Sequence, residues 1–441
     1  MFPTSTLKWD DYLERIVPFI LALIWALIII MALTSGFNKH PDEKQHFDAA
    51  KYYRNHWLPP PVGAQETADS YSKYGSSYLD ELDPVYLLAG KFSLFLSPLI
   101  SKNYIAMRLF NVFLFFLLML YCAAHAESHV IFVPLLITPQ VWYIFSYFNG
   151  DAFPLFICII MICELVSKQS FFRRAIEAID LPQFIWGGIF MGLLMGLLCI
   201  SKRNYYILIL FILFIISWQI WQADSPDKRR FTLRYLFIIG FALIFFLCRY
   251  GYDVAINGYG KAGKMAAYAE KVAEPQFKPS IASYKRSFFG LHLKAKGLKY
   301  SELFSKWNWH KLSFASFFGV YDYMKIFSSE RYYKIMFYIM SLFLIYVFSM
   351  IIVKGGNADR ISMIVVLAFM SATIFISSYH SWINDFQAQG RYLFPILGML
   401  GYLLYQNKRL LNKCLLYVFV MAICGLSAYS FIFTGLSHLM V

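Results

Sequence analysis

Long uninterrupted runs of apolar residues are the feature that most restricts how this chain can fold. The run IVPFILALIWALIIIMALTSGF, residues 16–37, contains no charged side chain. About 20 apolar residues in a helix span the hydrocarbon core of a bilayer, and a single span satisfies its backbone polar groups there only as a helix. No small-residue cleavage site follows the run, so we expect a retained transmembrane helix and not a signal peptide.

Similar runs recur along the chain of 441 residues, which is 59% hydrophobic and has a mean hydropathy of +0.53. A soluble domain of this composition would expose large apolar patches. The runs predict an all-α polytopic membrane protein with about eleven transmembrane helices. The predicted spans are residues 16–35, 104–123, 130–148, 152–167, 184–201, 204–222, 233–250, 333–353, 361–379, 392–406 and 414–433.

Basic residues in the short loops predict the orientation of these spans. Lys and Arg precede the first span and follow the fourth, sixth, eighth and tenth, which places them on one side. Cytoplasmic loops carry such an excess, so we expect a cytoplasmic N-terminus and a periplasmic C-terminus. Residues 1–441 then form one domain with two long extracytoplasmic loops, 36–103 and 251–332. We expect interfacial helices in these loops, because ELDPVYLLAGKFSLFLSPLI has helical apolar spacing but is short for a span.

The remaining composition argues against several other classes of protein. The net charge of +14 is dispersed between apolar spans, which favours the lipid bilayer as partner and not a nucleic acid. The seven cysteines include no CxxC pair, and no histidine pair has HExxH spacing, so no metal site or other cofactor is implied. A divalent metal remains possible. No N-x-S/T sequon occurs, which favours a bacterial source.

Unusual polar residues lie at the predicted outer ends of the helices, and we expect them to converge near the outer membrane surface. They are Asp42, Glu43 and His46, then Asn149 and Asp151, then Lys202, Arg203 and Asn204, and finally Asp385, Gln387, Gln389 and Arg391. The basic turn at Lys202–Arg203 departs from the charge bias of the other short loops. That departure indicates a functional site.

Each of these groups also has a purely structural interpretation. Pro41 suits the first position of a helix, and the helix dipole favours Asp42–Glu43 in the first turn. Asp151 can likewise be a charge at a helix start. Lys202–Arg203 can extend to lipid headgroups, and Gly390–Arg391 can anchor a membrane edge. The sequence pattern alone leaves both interpretations open.

Carboxylates and cations at an outer membrane surface can share one kind of chemistry. A lipid phosphate lies at that depth, and Arg and Lys side chains bind phosphate. A carboxylate can take a proton from an incoming hydroxyl as general base. The cations also offset the charge that develops on a leaving phosphate. These residue types therefore suit transfer of a group from a lipid phosphate to an acceptor outside the membrane.

The segment HPDEKQHFDAAKYY resembles the PDE-x-x-HF signature of one bacterial branch of the GT-C superfamily of membrane glycosyltransferases. Further segments resemble parts of the same pattern, in order, over about residues 38–400: ELDPVYLLAGKF, NYIAMRLFNVFL, FNGDAFPL, SKRNYYILIL, SFASFFGVYDYMKIF and DFQAQGRYLFPILGML. Two positions depart from the pattern, since Asp83-Pro84 replaces Pro-Pro and Phe317-Phe318 replaces Phe-Trp. Both changes look conservative for packing, and we expect neither to involve the acidic residues.

The resemblance implies a GT-C-like fold and a hexosyltransferase. Such an enzyme moves a sugar from a polyprenyl-phosphate donor, in bacteria undecaprenyl phosphate, to a glycan or glycolipid acceptor such as O-antigen of lipopolysaccharide. It also implies inverting transfer at the periplasmic face of the inner membrane, with a carboxylate of the first outer loop as general base. Serotype-converting O-antigen glucosyltransferases are a subgroup of similar size and composition.

The resemblance also implies roles for individual residues. The general base is Asp42, with Glu43 as the second choice. The donor phosphate is bound by Lys202, Arg203 and Arg391. The remaining substrate-binding residues are His46, Asp151, Gln389 and Tyr392.

Two other functions stay open from the sequence. An O-antigen polymerase or ligase would place its essential Arg and His residues in a late outer loop and not an acidic pair in the first. A flippase or transporter of lipid-linked sugars needs polar residues at mid-membrane depth. The predicted first, fifth and ninth spans are almost free of charge, so no transport path is evident.

Overall fold

The computed structural model describes residues 9–178, 180–222, 225–285 and 290–440, and most of them lie in helices. In chain order the α-helices are α1 (Trp9–Thr34), α2 (Glu43–Asn55), α3 (Val85–Phe95), α4 (Asn103–Ala124), α5 (Val133–Leu136), α6 (Pro139–Ser146), α7 (Ala152–Val166), α8 (Phe171–Glu177), α9 (Leu181–Ile200), α10 (Tyr206–Gln222), α11 (Ser225–Asn257), α12 (Lys261–Val272), α13 (Tyr300–Ser305), α14 (Trp309–Phe317), α15 (Glu330–Lys354), α16 (Asn357–Ile383), α17 (Pro395–Gln406), α18 (Lys413–Tyr429) and α19 (Ser437–Leu439).

Short elements complete the fold. Strands β1 (Val320–Tyr321) and β2 (Ile326–Phe327) form an antiparallel ladder in which Val320 faces Phe327. The predicted all-α architecture is otherwise confirmed. The 3-10 turns are Gln65–Ser70, Tyr78–Asp80, Ala126–Phe132, Arg203–Tyr205, Pro275–Phe277, Ser283–Lys285 and Gly390–Leu393, and Ser430–Leu436 is a π-helical turn.

Eight helices in the described part of the chain are long and apolar enough to cross a membrane, and the chain is a multi-pass α-helical membrane protein. They are Ile16–Thr34, Asn103–Ala124, Leu181–Ile200, Arg203–Gln222, Asp227–Asn257, Glu330–Lys354, Asn357–Ile383 and Lys413–Leu439. Two further pairs are apolar enough only when taken together, each as a broken span or a re-entrant loop: Ala126–Leu136 with Pro139–Ser146, bent by 90°, and Ala152–Val166 with Phe171–Glu177, bent by 41°.

The predicted count of about eleven spans is not confirmed, since the described residues contain eight such helices, or ten if each bent pair is one span. The predicted span 130–148 breaks at Thr138, which is extended because the following Pro139 disfavours helical backbone before it. The predicted span 392–406 is the 12-residue α17, which is about 18 Å long and shorter than a hydrocarbon core of about 30 Å. Nearly all of its residues from Pro395 to Leu404 are buried, so other helices and not lipid surround it.

Glycines allow close helix packing between α9 and α11. Gly188, Gly192 and Gly196 recur every fourth residue and so lie on one face of α9. A Cβ atom at Gly192 would lie 3.0 Å from the carbonyl oxygen of Ile238, and one at Gly196 would lie 3.2 Å from that of Ala242. Small residues at such spacing bring helix backbones together where no hydrophobic driving force acts between helices.

The basic loops meet at one end of the bundle, as the orientation prediction requires. Arg409 pairs with Asp359 at 2.7 Å, which joins the loop after α17 to the start of α16. The Lys408 ammonium donates to the Glu127 carbonyl at 2.9 Å, and Arg234 donates to the Ile176 carbonyl at 2.6 Å. The Gln169 amide also donates to Glu127 Oε1 at 2.9 Å, so the basic turns after α7, α15 and α17 lie together.

The two long segments meet at the opposite end. The Glu274 amide donates to the Lys73 carbonyl at 3.0 Å, and the Val62 amide donates to Asn257 Oδ1 at 2.9 Å. Helix α11 continues to Asn257, so the second long segment begins later than predicted. Helix α3 is the short apolar helix predicted in the first segment, and Phe95 at its end is 78% exposed.

We predict that these two ends face opposite sides of the membrane. In a background with the exposed Cys248 and Cys414 replaced by serine, cysteines at the exposed positions Ser76 and Lys264 should both react with a membrane-impermeant maleimide on intact cells. Cysteines at the exposed positions Lys168 and Lys354 should react only after permeabilisation. The arrangement would be contradicted if, on intact cells, only one cysteine of the pair at Ser76 and Lys264 reacted together with one cysteine of the pair at Lys168 and Lys354.

Candidate functional site

The acidic pair Asp42–Glu43 is held in place by an arginine of α4. Arg108 donates from Nε to Glu43 Oε1 at 2.5 Å and from Nη2 to Glu43 Oε2 at 2.9 Å, and both side chains are buried. Arg108 also donates to the carbonyls of Ala32 and Ser35 at 2.9 and 2.8 Å. The guanidinium therefore joins the end of α1 to the start of α2.

The pairing with Arg108 distinguishes Glu43 from Asp42. It argues against the prediction of Glu43 as the second choice for the general base. Both Glu43 carboxylate oxygens accept hydrogen bonds, from Arg108 and from the Asn38 amide at 2.8 Å, so Glu43 anchors the motif and is not free to act as a base. Asp42 differs, because its side chain is 44% exposed. Its backbone is left-handed, with φ 56°, a conformation that Asp tolerates better than most residues.

The structural interpretation of Asp42 as a helix start is confirmed for its position, but the side chain does not cap the helix. Asp42 occupies the N-cap of α2, but its side chain makes no capping hydrogen bond. Pro41 lies before the N-cap and is not the first helical residue. The carboxylate is therefore directed elsewhere, towards a cation from the far end of the sequence.

Four charged side chains from four parts of the chain meet at this end of the bundle. Arg391 Nη2 lies 3.9 Å from Asp42 Oδ2, and Arg391 Nη1 lies 3.4 Å from Asp151 Oδ2. Lys202 Nζ lies 3.8 Å from Asp151 Oδ1. The predicted convergence is confirmed for these four residues. We call Asp42, Asp151, Lys202 and Arg391 the ionic cluster.

The contacts in the ionic cluster are loose. Charge-assisted hydrogen bonds are about 2.7–2.9 Å long, whereas the separations here are 3.4–3.9 Å. Among the described residues, Arg391 Nε and Asp151 Oδ1 are buried and have no hydrogen-bond partner. Nearly all buried polar groups in folded proteins are hydrogen-bonded. The cluster therefore keeps an unused donor on the buried Arg391, which an anionic ligand can satisfy.

Local structure places Asp151 at the start of α7. Asn149 Oδ1 accepts from the amides of Asp151 at 2.8 Å and Ala152 at 3.2 Å, which caps the helix. Asn111 Nδ2 donates to the Tyr147 carbonyl at 2.7 Å and fixes the turn to α4. The Asp151 side chain therefore does not cap the helix, and its carboxylate faces Lys202 and Arg391.

Arg391 is positioned by the glycine before it. A Cβ atom on Gly390 would lie 2.3 Å from the Phe317 Cα atom, so no larger residue fits this contact with α14. The Gly390 amide donates to Ser316 Oγ at 3.0 Å. The QGRY segment therefore contacts α14 at its glycine and presents Arg391 to the bundle interior.

His46 lies beside the ionic cluster in an aromatic setting. Its Nδ1 and the Tyr86 hydroxyl are hydrogen-bonded at 2.9 Å, and its ring stacks on Tyr78 at 4.0 Å. Burial, followed by the charges of Lys202 and Arg391, holds the pKa of His46 well below its usual value. The imidazole is therefore neutral at pH 7, and it contacts Tyr86 and not the predicted base.

The other predicted site residues are placed less centrally. The Tyr392 ring lies 5.5 Å from the Arg391 guanidinium, and the Tyr392 carbonyl accepts from Asn204 at 3.4 Å. Gln389 is half-buried at the N-cap of the turn that carries Arg391. Arg203 is exposed, unlike its neighbour Lys202. The expectation that Arg203 binds the same group as Lys202 stays a prediction.

Sequence reasoning missed two residues of this region. Arg108 was predicted only as part of a helix, although a charge within an apolar span is itself a signal of a buried partner. Asp83 was considered only as a replacement for proline that does not contact the acidic pair, so its burial beside Lys202 was missed. Asp83 is buried, and the charges of Lys202 and Asp151 both act on its carboxyl group.

The fold and the site define a multi-pass α-helical membrane protein with an ionic cluster at one end of its bundle. No group of three or more His, Cys, Asp or Glu side chains suited to a metal ion occurs in residues 9–178, 180–222, 225–285 and 290–440. Comparison with protein-family models, curated proteins and solved structures finds no match for the chain. Function is therefore inferred from the ionic cluster itself.

We predict that Arg108→Met destabilises the protein by about 3–5 kcal/mol, because removal of one partner leaves the Glu43 carboxylate buried and unpaired. Thermal unfolding in detergent measures the change. Arg409→Met is the matched control, since the Arg409 side chain is 70% exposed in its pair with Asp359, and the change should cost about 1 kcal/mol or less. Equal destabilisation by the two variants would contradict the anchoring role.

Proposed function

We propose that the chain is a membrane glycosyltransferase that moves a sugar from a polyprenyl-phosphate donor to an extracytoplasmic acceptor, with inversion at the anomeric carbon. The single observation that carries this proposal is the loose pairing of two cations, the buried Arg391 and the half-buried Lys202, with carboxylates at one end of the helix bundle. The sequence resemblance to GT-C enzymes leads to the same class of reaction.

The cations suit the phosphate of a lipid donor. Arg391 and Lys202 both contact Asp151, so one carboxylate holds them side by side until an anion enters. Arg offers several donors in a fixed geometry that matches phosphate oxygens, and Lys adds a point charge. Both charges also stabilise the phosphate as it leaves, when its negative charge grows.

Asp42 suits the general base. It is the most exposed carboxylate of the ionic cluster, whereas Asp151 is 2% exposed and lies between the two cations. In the reaction an acceptor hydroxyl oxygen forms a bond to the anomeric carbon as the bond from that carbon to the donor phosphate oxygen breaks. Asp42 takes the hydroxyl proton, and the lipid phosphate leaves with its charge held by Arg391 and Lys202.

The position of the ionic cluster favours transfer over transport. Its members lie at the ends of elements: Asp42 at the N-cap of α2, Asp151 at that of α7, Lys202 after α9 and Arg391 before α17. A transport path would place charges at mid-membrane depth. The proposed setting is a bacterial inner membrane with a cytoplasmic N-terminus, a periplasmic C-terminus and an O-antigen or similar surface glycan as acceptor.

We predict that Asp42→Asn lowers the rate of sugar transfer by roughly 10²–10⁴-fold, because the amide cannot accept the acceptor proton. The measurement is transfer from undecaprenyl-phosphate hexoses in proteoliposomes. Asp69→Asn, at an exposed position of the same segment, is the control and should retain the wild-type rate.

An unchanged rate in the Asp42 variant would remove the base assignment and leave the enzyme class standing. Absence of transfer from every donor by the wild type, together with movement of the lipid-linked sugar across the vesicle membrane, would replace the proposed function by transport.

A further inference from the structure

The hairpin of β1 and β2 packs against the turn that carries Asp42. Residues 322–325 join the two strands, and Tyr323 in this connection is 38% exposed. The Tyr323 hydroxyl donates to Asn38 Oδ1 at 3.0 Å, across 285 positions of the sequence. The transfer step described above gives this contact no role, although Asn38 begins the turn that ends at Asp42.

The same hydroxyl also faces Asp42. Burial raises the pKa of Tyr323, and so does the negative charge of Asp42, whereas a hydrogen bond from the Asp42 amide acts in the opposite direction. A phenolic hydroxyl can donate and accept at the same time, so it serves the Asn38 side chain and the Asp42 amide together. Tyr323 thereby joins the two ends of the segment 38–42.

The backbone of this segment depends on support from outside it. Asn38 and Asp42 have φ angles of 60° and 56°, and in the hairpin Asp322 and Met324 have φ angles of 55° and 59°. Left-handed residues other than glycine are strained, and they persist where the surrounding structure holds them. The two left-handed residues of the segment 38–42 are the two that the Tyr323 hydroxyl contacts.

A second contact from the hairpin holds the middle of the segment. The Asp322 amide donates to the Tyr143 hydroxyl at 3.1 Å, and that hydroxyl is hydrogen-bonded to His40 Nδ1 at 3.0 Å. His40 Nε2 is in turn hydrogen-bonded to Ser35 Oγ at 2.8 Å. These three side chains are buried, whereas Tyr323 is exposed. Tyr323 is therefore the contact that can be changed without disturbing the interior.

We propose that Tyr323 is a positioning residue for Asp42, because its hydroxyl holds the turn from Asn38 to Asp42 in the conformation that places the carboxylate beside Arg391. This inference rests on the proposed function. It assigns Tyr323 no contact with the reacting atoms, and its effect on the reaction passes through Asp42.

The Asp42 carboxylate needs such support because its own contacts are weak. Among the described residues its ion-pair partner is Arg391, at 3.9 Å, and the carboxylate makes no capping hydrogen bond. Its position is therefore set by the backbone of the turn. A general base has to lie within hydrogen-bond reach of the proton that it removes, and small displacements of reacting groups lower rates strongly.

The test is Tyr323→Phe in the full-length protein, which keeps the ring and removes the hydroxyl. Transfer from undecaprenyl-phosphate hexoses in proteoliposomes should show a kcat lower by roughly three- to tenfold, the range that corresponds to one lost neutral hydrogen bond. Affinity for undecaprenyl phosphate in nanodiscs should not change, because Arg391 and Lys202 bind the phosphate in the proposed function.

Tyr333→Phe is the matched control. The Tyr333 hydroxyl donates to the Gly319 carbonyl at 2.7 Å and accepts from the Ser328 amide at 3.1 Å, so it joins the two ends of the same hairpin. Its loss removes hydrogen bonds of the same kind at the end of the hairpin opposite to Tyr323. The control should therefore retain the wild-type kcat.

Combination with Asp42→Asn separates positioning from a general loss of structure. Two changes that act through one group are not additive, whereas independent changes are. Tyr323→Phe should therefore lower the rate of the wild type and leave the residual rate of Asp42→Asn unchanged. A further decrease of the same size in the Asp42→Asn background would show that Tyr323 acts independently of Asp42, which would overturn the inference.

The outcomes distinguish this inference from the proposed function. Sugar transfer by Tyr323→Phe at the wild-type kcat, or an equal decrease in Tyr333→Phe, would overturn the inference and leave the function standing. If the wild type transfers no sugar from any donor, the proposed function fails and the inference fails with it. A decrease in kcat that is confined to Tyr323→Phe and absent in the Asp42→Asn background supports the inference.

Discussion

The buried ion pair between Arg108 and Glu43 is the interaction on which the placement of the site depends. Burial of two charges is costly, and close geometry with further hydrogen bonds has to offset the desolvation. Arg108 meets this requirement by donating to both Glu43 oxygens and to carbonyls at the end of α1. The turn between α1 and α2 is thereby fixed, and Asp42 is held in a left-handed conformation at the N-cap of α2.

Two kinds of ionic contact lie within a few residues of each other. Glu43 and Arg108 are in direct hydrogen-bond contact at 2.5 Å, whereas the distances within the ionic cluster are 3.4–3.9 Å. The close pair leaves no donor for a ligand and therefore stabilises structure. The loose cluster retains unpaired buried atoms on Arg391 and Asp151, and pre-placed charges of this kind can stabilise charge that develops in a reaction.

Sequence reasoning reached the helices and the residues of the ionic cluster, because both leave local signals. Apolar runs identify spans, and charges at span ends such as Asp151 and Lys202 are uncommon. The partner of Glu43 was missed because pairing across 65 residues leaves no local pattern. Asp83 was missed because only the fold brings it to Lys202. The break at Thr138 and the shortness of α17 were missed because hydropathy does not report whether lipid or protein surrounds a helix.

A structure with an undecaprenyl-phosphate hexose bound tests the central claim most directly. The account predicts that the donor phosphate contacts Arg391 and Lys202, with the Asp42 carboxylate facing the anomeric carbon on the side opposite the phosphate. Glu43 should remain paired with Arg108. A phosphate bound at the opposite, basic end of the bundle, or a sugar that faces Glu43 released from Arg108, would contradict the account.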